Sequence, residues 1–154
     1  MTAISVGEAI PPFTATSTHG DISLDTLKGR KTVLYFYPKD NTPGCTTQAQ
    51  GFRDLHSEFE AAGARIIGVS RDSLKSHQNF TAKHELPFAL ISDADESLCT
   101  LFKVIKMKNM YGKQVRGIER STFLIDENGV LVKEWRGLRV PGHVDAVLQA
   151  VREH

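Results

Sequence analysis

Cysteine is scarce in this chain, with two among 154 residues, and tryptophan occurs once. Two thiols allow at most one disulfide, and a chain of this length buries a sufficient core without such staples. No Cys-x-x-Cys pair exists, because Gln48 stands three positions after Cys45, so local dithiol chemistry is excluded. No apolar run approaches a membrane span, and Met1 to Glu8 carry neither a basic start nor a hydrophobic core of signal-peptide length. Neither charge is in excess: 19 basic against 18 acidic residues leave +1, which gives no general pull toward nucleic acid or membrane. Six histidines and two cysteines show no close ligand spacing, so neither a metal nor another cofactor is expected. Repeats and linkers are absent. The chain reads as one domain, 1–154, cytoplasmic, with its thiols in a reducing compartment.

The elements follow from local patterns. Phe13 to Thr16 and Ile22 to Leu24 flank a His19-Gly20-Asp21 turn and make an N-terminal β-hairpin, after which Asp25 to Gly29 form one capped turn. Thr32 to Tyr37 is a continuous apolar and β-branched run, the mark of a strand buried on both faces. A helix is expected to start near Thr42 and run to Ala62, with Gly63 as its left-handed C-cap, and Ala64 to Ser70 reads as a second buried strand. Ser73 caps a helix carrying Leu74, His77, Phe80 and His84, and Phe88 to Ile91 is a third strand. Asp93 or Asp95 caps a helix with a stripe of Leu98, Leu101, Phe102 and Ile105. The segment from Lys103 to Gly117, with five basic residues and no acid, reads as mostly loop with a solvated charged face. Thr122 to Ile125 and Val130 to Trp135 form a hairpin, and Val144, Val147, Leu148 and Val151 mark the buried face of a closing helix. Strand, helix and strand, then hairpin and helix, describe an α/β, thioredoxin-like fold: a mixed central β-sheet flanked by helices.

The stretch Pro38 to Cys45 leaves the central strand at its carboxyl end, where open α/β sheets place their sites. Pro38 stops the ladder, Thr42 is a natural N-cap, and Pro43 sits where a missing donor costs nothing. Cys45 then falls in the first helical turn, where unpaired amides and the helix dipole favour an anion and therefore a thiolate. The repeat Cys45, Gln48, Phe52, Leu55, Phe59 turns the sulfur toward the core. The alternative for Cys45 is a small buried hydrophobe.

Topology adds a cation. If the strand at 122–125 runs antiparallel to that at 32–37, its first residues lie at the edge where the earlier strand ends, and Arg120 faces Cys45. A guanidinium there reinforces the helix-terminus field and offers donors to a bound oxygen. The other reading of Arg120 is an exposed partner of Glu119.

Pro38-x-x-x-Thr42-x-x-Cys45, with Arg120 in Arg-Ser-Thr-Phe-Leu-Ile-Asp, resembles the active-site signature of the peroxiredoxins. The wider context, Phe36 to Thr47 together with Met110-Tyr111-Gly112 and Gly117-Ile118, is similar to the bacterioferritin-comigratory (BCP/PrxQ) branch. The resemblance spans nearly the whole chain. It implies a thioredoxin fold and thiol-dependent reduction of hydrogen peroxide and organic hydroperoxides, with Cys45 as peroxidatic cysteine and Pro38, Thr42 and Arg120 completing the site.

One departure bears on the mechanism. Many members of the branch carry a resolving cysteine five residues after the first, and here that position is Gln50. Others place it in the next helix, which here has none. Cys99 is the remaining candidate, and its core-like neighbours favour an inert thiol over a resolving one. The expected working mode is one-cysteine, with an external thiol, thioredoxin or glutathione with glutaredoxin, reducing the sulfenic acid formed at Cys45. A two-cysteine mode through Cys99, and a peroxide sensor or holdase without turnover, are the alternatives. Arg120, the Thr42 hydroxyl and the first-turn amides are expected to donate to the departing oxygen while Pro38 shields the thiolate. Relatives of this kind are often monomers, which is the expectation here.

Overall fold

The alternation in the central strand decides the architecture. In the computed structural model, which describes residues 4–154, β3 (Lys31–Phe36) turns Val33 and Tyr35 to one face of a sheet and Leu34 and Phe36 to the other, all fully buried. A strand apolar on both faces must be covered on both, and it is. β1 (Thr14–Ser17) and β2 (Gly20–Ser23) form the N-terminal hairpin. α1 (Leu24–Leu27) follows, closed by a reciprocal capping box between Ser23 and Thr26. Leu24 therefore opens this helical turn instead of ending the strand.

β3, β4 (Ala64–Ser70) and β5 (Ala89–Ser92) pair in parallel, while β8 (Ser121–Ile125) runs antiparallel to β3 and β9 (Leu131–Arg136) antiparallel to β8. The sheet has the order β2-β1-β5-β4-β3-β8-β9. One face carries α2 (Pro43–Asp54), α3 (His56–Ala61), α4 (Leu74–His84) and α6 (His143–Glu153), packed over Tyr35, Phe52, Phe80 and Val147. The opposite face carries α1 and α5 (Ser97–Leu101), packed over Leu34, Phe36, Phe102 and Phe123. No helix among the described residues is long and apolar enough to cross a membrane.

Three expectations are corrected. The helix expected from Thr42 to Ala62 is two helices: Leu55 leaves helical geometry (φ −103°, ψ 9°) and α3 restarts after it, wrapping Phe59 onto the core. The segment from Lys103 to Gly117 is no loop, since β6 (Ile105–Met110) and β7 (Lys113–Ile118) form a separate two-stranded hairpin. Tyr111 and Gly112 both take positive φ (54° and 78°), as the tight hairpin turn requires, and basic side chains hid the strands because both outer faces meet solvent. Ile105 accordingly belongs to β6 and not to the stripe of α5. Asp93 does serve α5, its carboxylate accepting from the amides of Leu98 and Cys99, although Glu96 occupies the backbone capping position.

Candidate active site

The pairing of Phe36 with Ser121 fixes the site, because it brings the residue before β8 to the edge where β3 ends. After Phe36 the chain holds one more ladder bond, Tyr37 N–H to the Val69 carbonyl at 3.0 Å, before Pro38 turns it out of the sheet. Asn41 takes a left-handed conformation (φ 66°), which its short polar side chain tolerates, and Thr42 stands at the N-cap. Pro43 opens the helix, and the first helical bond runs from Thr46 N–H to the Thr42 carbonyl at 2.9 Å. The amides of Gly44 and Cys45 find no partner among the described residues. They lie at the positive end of the helix, in the same turn as Cys45.

Cys45 is 1 % exposed and lies against the Tyr35–Phe52 layer. Arg120 reaches it: Nη2 is 3.3 Å from Sγ, and Nη1 donates to Gln48 Oε1 at 2.7 Å. Two bonds hold the guanidinium in one orientation, the geometry that distinguishes arginine from lysine. Gly44 makes room for it, since a Cβ there would stand 3.2 Å from Nη2. Arg120 therefore pairs with the sulfur and Gln48, and Glu119 is not its partner.

Thr42 differs from expectation. Its hydroxyl does not cap the helix; it donates to the Lys39 carbonyl at 2.8 Å. A hydroxyl has one proton, so toward the site Thr42 offers lone pairs and accepts where it was expected to donate. Pro38 is half-buried.

The field of Arg120 reaches further groups that the sequence did not single out. His143 is buried, bonded through Nε2 to Thr122 Oγ1 at 2.9 Å and edge-on to Trp135. Burial first, and the Arg120 charge second, push its pKa down to about 4. Lys108, in the middle of β6, donates from Nζ to the Ile118 carbonyl at 2.6 Å, and burial followed by Arg120 lowers its pKa. Tyr35 is pushed well above the usual phenol range by burial and then by the neighbouring Cys45 and Asp40. Tyr35, Lys108 and His143 come from β3, β6 and α6, far apart in the sequence, so no local motif could have revealed them.

Cys99 lies elsewhere. It is fully buried on the other face of the sheet, packed in the layer of Leu98, Phe102 and Phe123, while Cys45 belongs to the layer of α2. Burial, with the adjacent Asp93 carboxylate, pushes the Cys99 thiol up, away from its reactive form. Gln50, at the position where related chains carry a second thiol, touches His84 of α4 at 3.4 Å. One cluster has donor atoms within 4.8 Å of one another, Asp40, Asp72 and His77. Long sequence separations conceal it, and its members already bond one another and the backbone.

A model of the AhpC/TSA family matches residues 6–134. The chain is 60 % identical over 126 residues to peroxiredoxin Bcp of Xanthomonas campestris, covering 82 % of this chain and 79 % of the relative. Its identity to peroxiredoxin Bcp of Bacillus subtilis is 48 % over 151 residues, 97 % and 96 % of the two chains. Among solved structures, a cysteine-to-serine variant of PrxQ from Xylella fastidiosa superposes with a TM-score of 0.93 at 42 % identity, covering 100 % of this chain and 99 % of that one. A Xanthomonas campestris bacterioferritin comigratory protein, whose trapped intermediate and ligand complexes bear on alkyl peroxide reduction, gives 0.88 at 54 % identity, over 92 % and 91 %.

Proposed function

Because this chain belongs to the AhpC/TSA family, among the peroxiredoxins of the Bcp/PrxQ branch, and is thus a thiol-dependent peroxidase, we propose that Cys45 is the sulfur that meets the peroxide. We further propose that an outside thiol restores it. The observation that carries the first reading is the 3.3 Å contact between Arg120 Nη2 and Cys45 Sγ at an uncapped helix tip. As thiolate, Cys45 attacks the terminal oxygen of hydrogen peroxide or an alkyl hydroperoxide. The S–O bond forms as the O–O bond breaks, and the departing oxygen leaves with the electron pair and takes up a proton as water or alcohol. Arg120 and the amides of Gly44 and Cys45 stand ready for the charge that grows on that oxygen, without reorganising during the reaction. Thr42, its proton engaged by Lys39, accepts from the peroxide O–H and orients it for attack. Pro38 covers the sulfur.

The one-cysteine reading is supported by the separation of Cys45 and Cys99 on opposite faces of the sheet. An external thiol condenses with the sulfenic acid, releasing water and leaving a mixed disulfide, which a second thiol opens. Thioredoxin, or glutathione with glutaredoxin, supplies both thiols. All this chemistry lies within one domain, which acts as a monomer. Peroxide turnover with each reductant, on the parent, Cys45→Ser and Cys99→Ser, tests the proposal. Turnover is lost in Cys45→Ser and kept in Cys99→Ser, and the parent after one equivalent of peroxide gains one oxygen in mass. A Cys45–Cys99 disulfide in that mass spectrum overturns the one-cysteine mode.

A further inference from the structure

Five residues before Cys45, the chain is tied into the protein by a buried charge. Asp40 is 3 % exposed, and its carboxylate accepts from Tyr37 Oη at 2.6 Å, Ser76 Oγ at 2.9 Å and His77 Nδ1 at 2.7 Å. His77 is fully buried, and its Nε2 faces the Ile91 carbonyl at 2.9 Å. A carbonyl only accepts, so Nε2 carries a hydrogen. Both oxygens of Asp40 already accept from hydroxyls, and a hydrogen between Nδ1 and Oδ2 ties the two side chains together. The Asp40 amide donates to Asp72 Oδ2 at 3.0 Å, which also accepts from Ser70 Oγ at 2.5 Å. Burial works against the Asp40 charge, and the bonds from His77, Tyr37 and Ser76 outweigh it, holding the carboxyl below its usual range.

This network joins the stretch between β3 and α2 to α4 through Ser76 and His77, and to β5 through Ile91. That stretch has little else to hold it. Between the ladder bond of Tyr37 and the first helical bond of α2, the other bonds are the local one from Thr42 to Lys39 and the one from Arg120 to the Cys45 sulfur. Cys45 is buried when the first turn is intact, so a bulky thiol reaches its sulfenic acid only when that turn opens.

We propose that the Asp40–His77 pair is a positioning device that sets how often the first turn of α2 opens, and with it the balance between peroxide attack at Cys45 and reduction of the oxidised sulfur. The proposal rests on the reading of Cys45 given above. With the pair intact, the sulfur, the free amides and Arg120 stay in register for attack. With it broken, attack slows and thiol access quickens.

Stopped-flow kinetics on His77→Gln and Asp40→Asn separate the two steps, one arm following peroxide attack on the reduced enzyme, the other following reaction of the sulfenic acid with thionitrobenzoate. Attack falls at least tenfold while the thionitrobenzoate step rises several-fold, and hydrogen exchange quickens over residues 38–50 and not over β4. Ser76→Ala, which removes one bond at the edge of the network, gives a smaller shift in the same directions and serves if the buried variants do not fold. Attack that is unchanged, or both steps falling together with the folded fraction, overturns the proposal. Peroxide consumption persisting in Cys45→Ser would instead overturn the underlying reading of the site.

Discussion

A single methyl group at position 44 separates catalysis from stability. In Gly44→Ala the new Cβ stands 3.2 Å from Arg120 Nη2 and 3.9 Å from its Cζ, closer to the nitrogen than a carbon comfortably sits, so the guanidinium retreats by a few tenths of an ångström. That nitrogen is the one 3.3 Å from Cys45 Sγ. Deleting a preorganised donor outright costs about a hundred- to a thousandfold in rate, and a displacement of this size forfeits a fraction of it, about three- to tenfold. Stability moves the other way. Gly44 lies in α2 with no positive φ, and alanine favours a helix over glycine by up to about 1 kcal/mol, less at a first turn than in an interior. Stopped-flow peroxide reduction and a urea melt on the same preparation read both effects. Undiminished attack, or activity and stability falling together, would refute the claim that Arg120 needs the space glycine leaves.

Arg120→Lys keeps the charge and one of the two bonds, to Sγ or to Gln48 but not both, so attack slows by about ten- to a hundredfold. A rate equal to the parent's would mean that charge alone matters and orientation does not. The stability of the fold should fall in acid through His143. Its folded pKa of about 4 lies below the ordinary 6.5, so the unfolded chain takes the proton first; the stabilisation is full above 6.5 and is lost as pH falls toward 4, by about 3 kcal/mol. Urea melts between pH 7.5 and 4 measure it, and the slope over that window flattens in His143→Phe. A parent whose unfolding free energy stays level across the window refutes the assignment.

The sequence carried the parts of this protein whose signals are local. Val33 to Phe36 announced a doubly covered strand, Ser73 and Gly63 marked helix ends, and the spacing of Thr42, Pro43 and Cys45 placed a thiol in a first turn. Arg120 was legible because an antiparallel partner for β3 has one sensible edge, and the register of Phe36 with Ser121 delivers it. Where competing signals were close, the reading went astray. Leu55 fits the helical stripe as well as its neighbours do, and nothing local says the backbone kinks there. The lysines of β6 and β7 resemble a solvated loop because a hairpin wet on both faces needs no apolar alternation. The hydroxyl of Thr42 chose a carbonyl three residues back over the amide ahead of it, two options that composition leaves equal. Asp40 and His77 stand 37 positions apart with all of β4 between them, so no local signal pairs them.

The sheet acts as a wall between two sulfurs, Cys45 in one layer and Cys99 in the other. On the one-cysteine reading proposed above, an oxidised Cys45 has no mate on its own side, and the thiols dissolved around the protein decide how long it stays oxidised. The chain's memory of a peroxide encounter is therefore as long or as short as its surroundings make it.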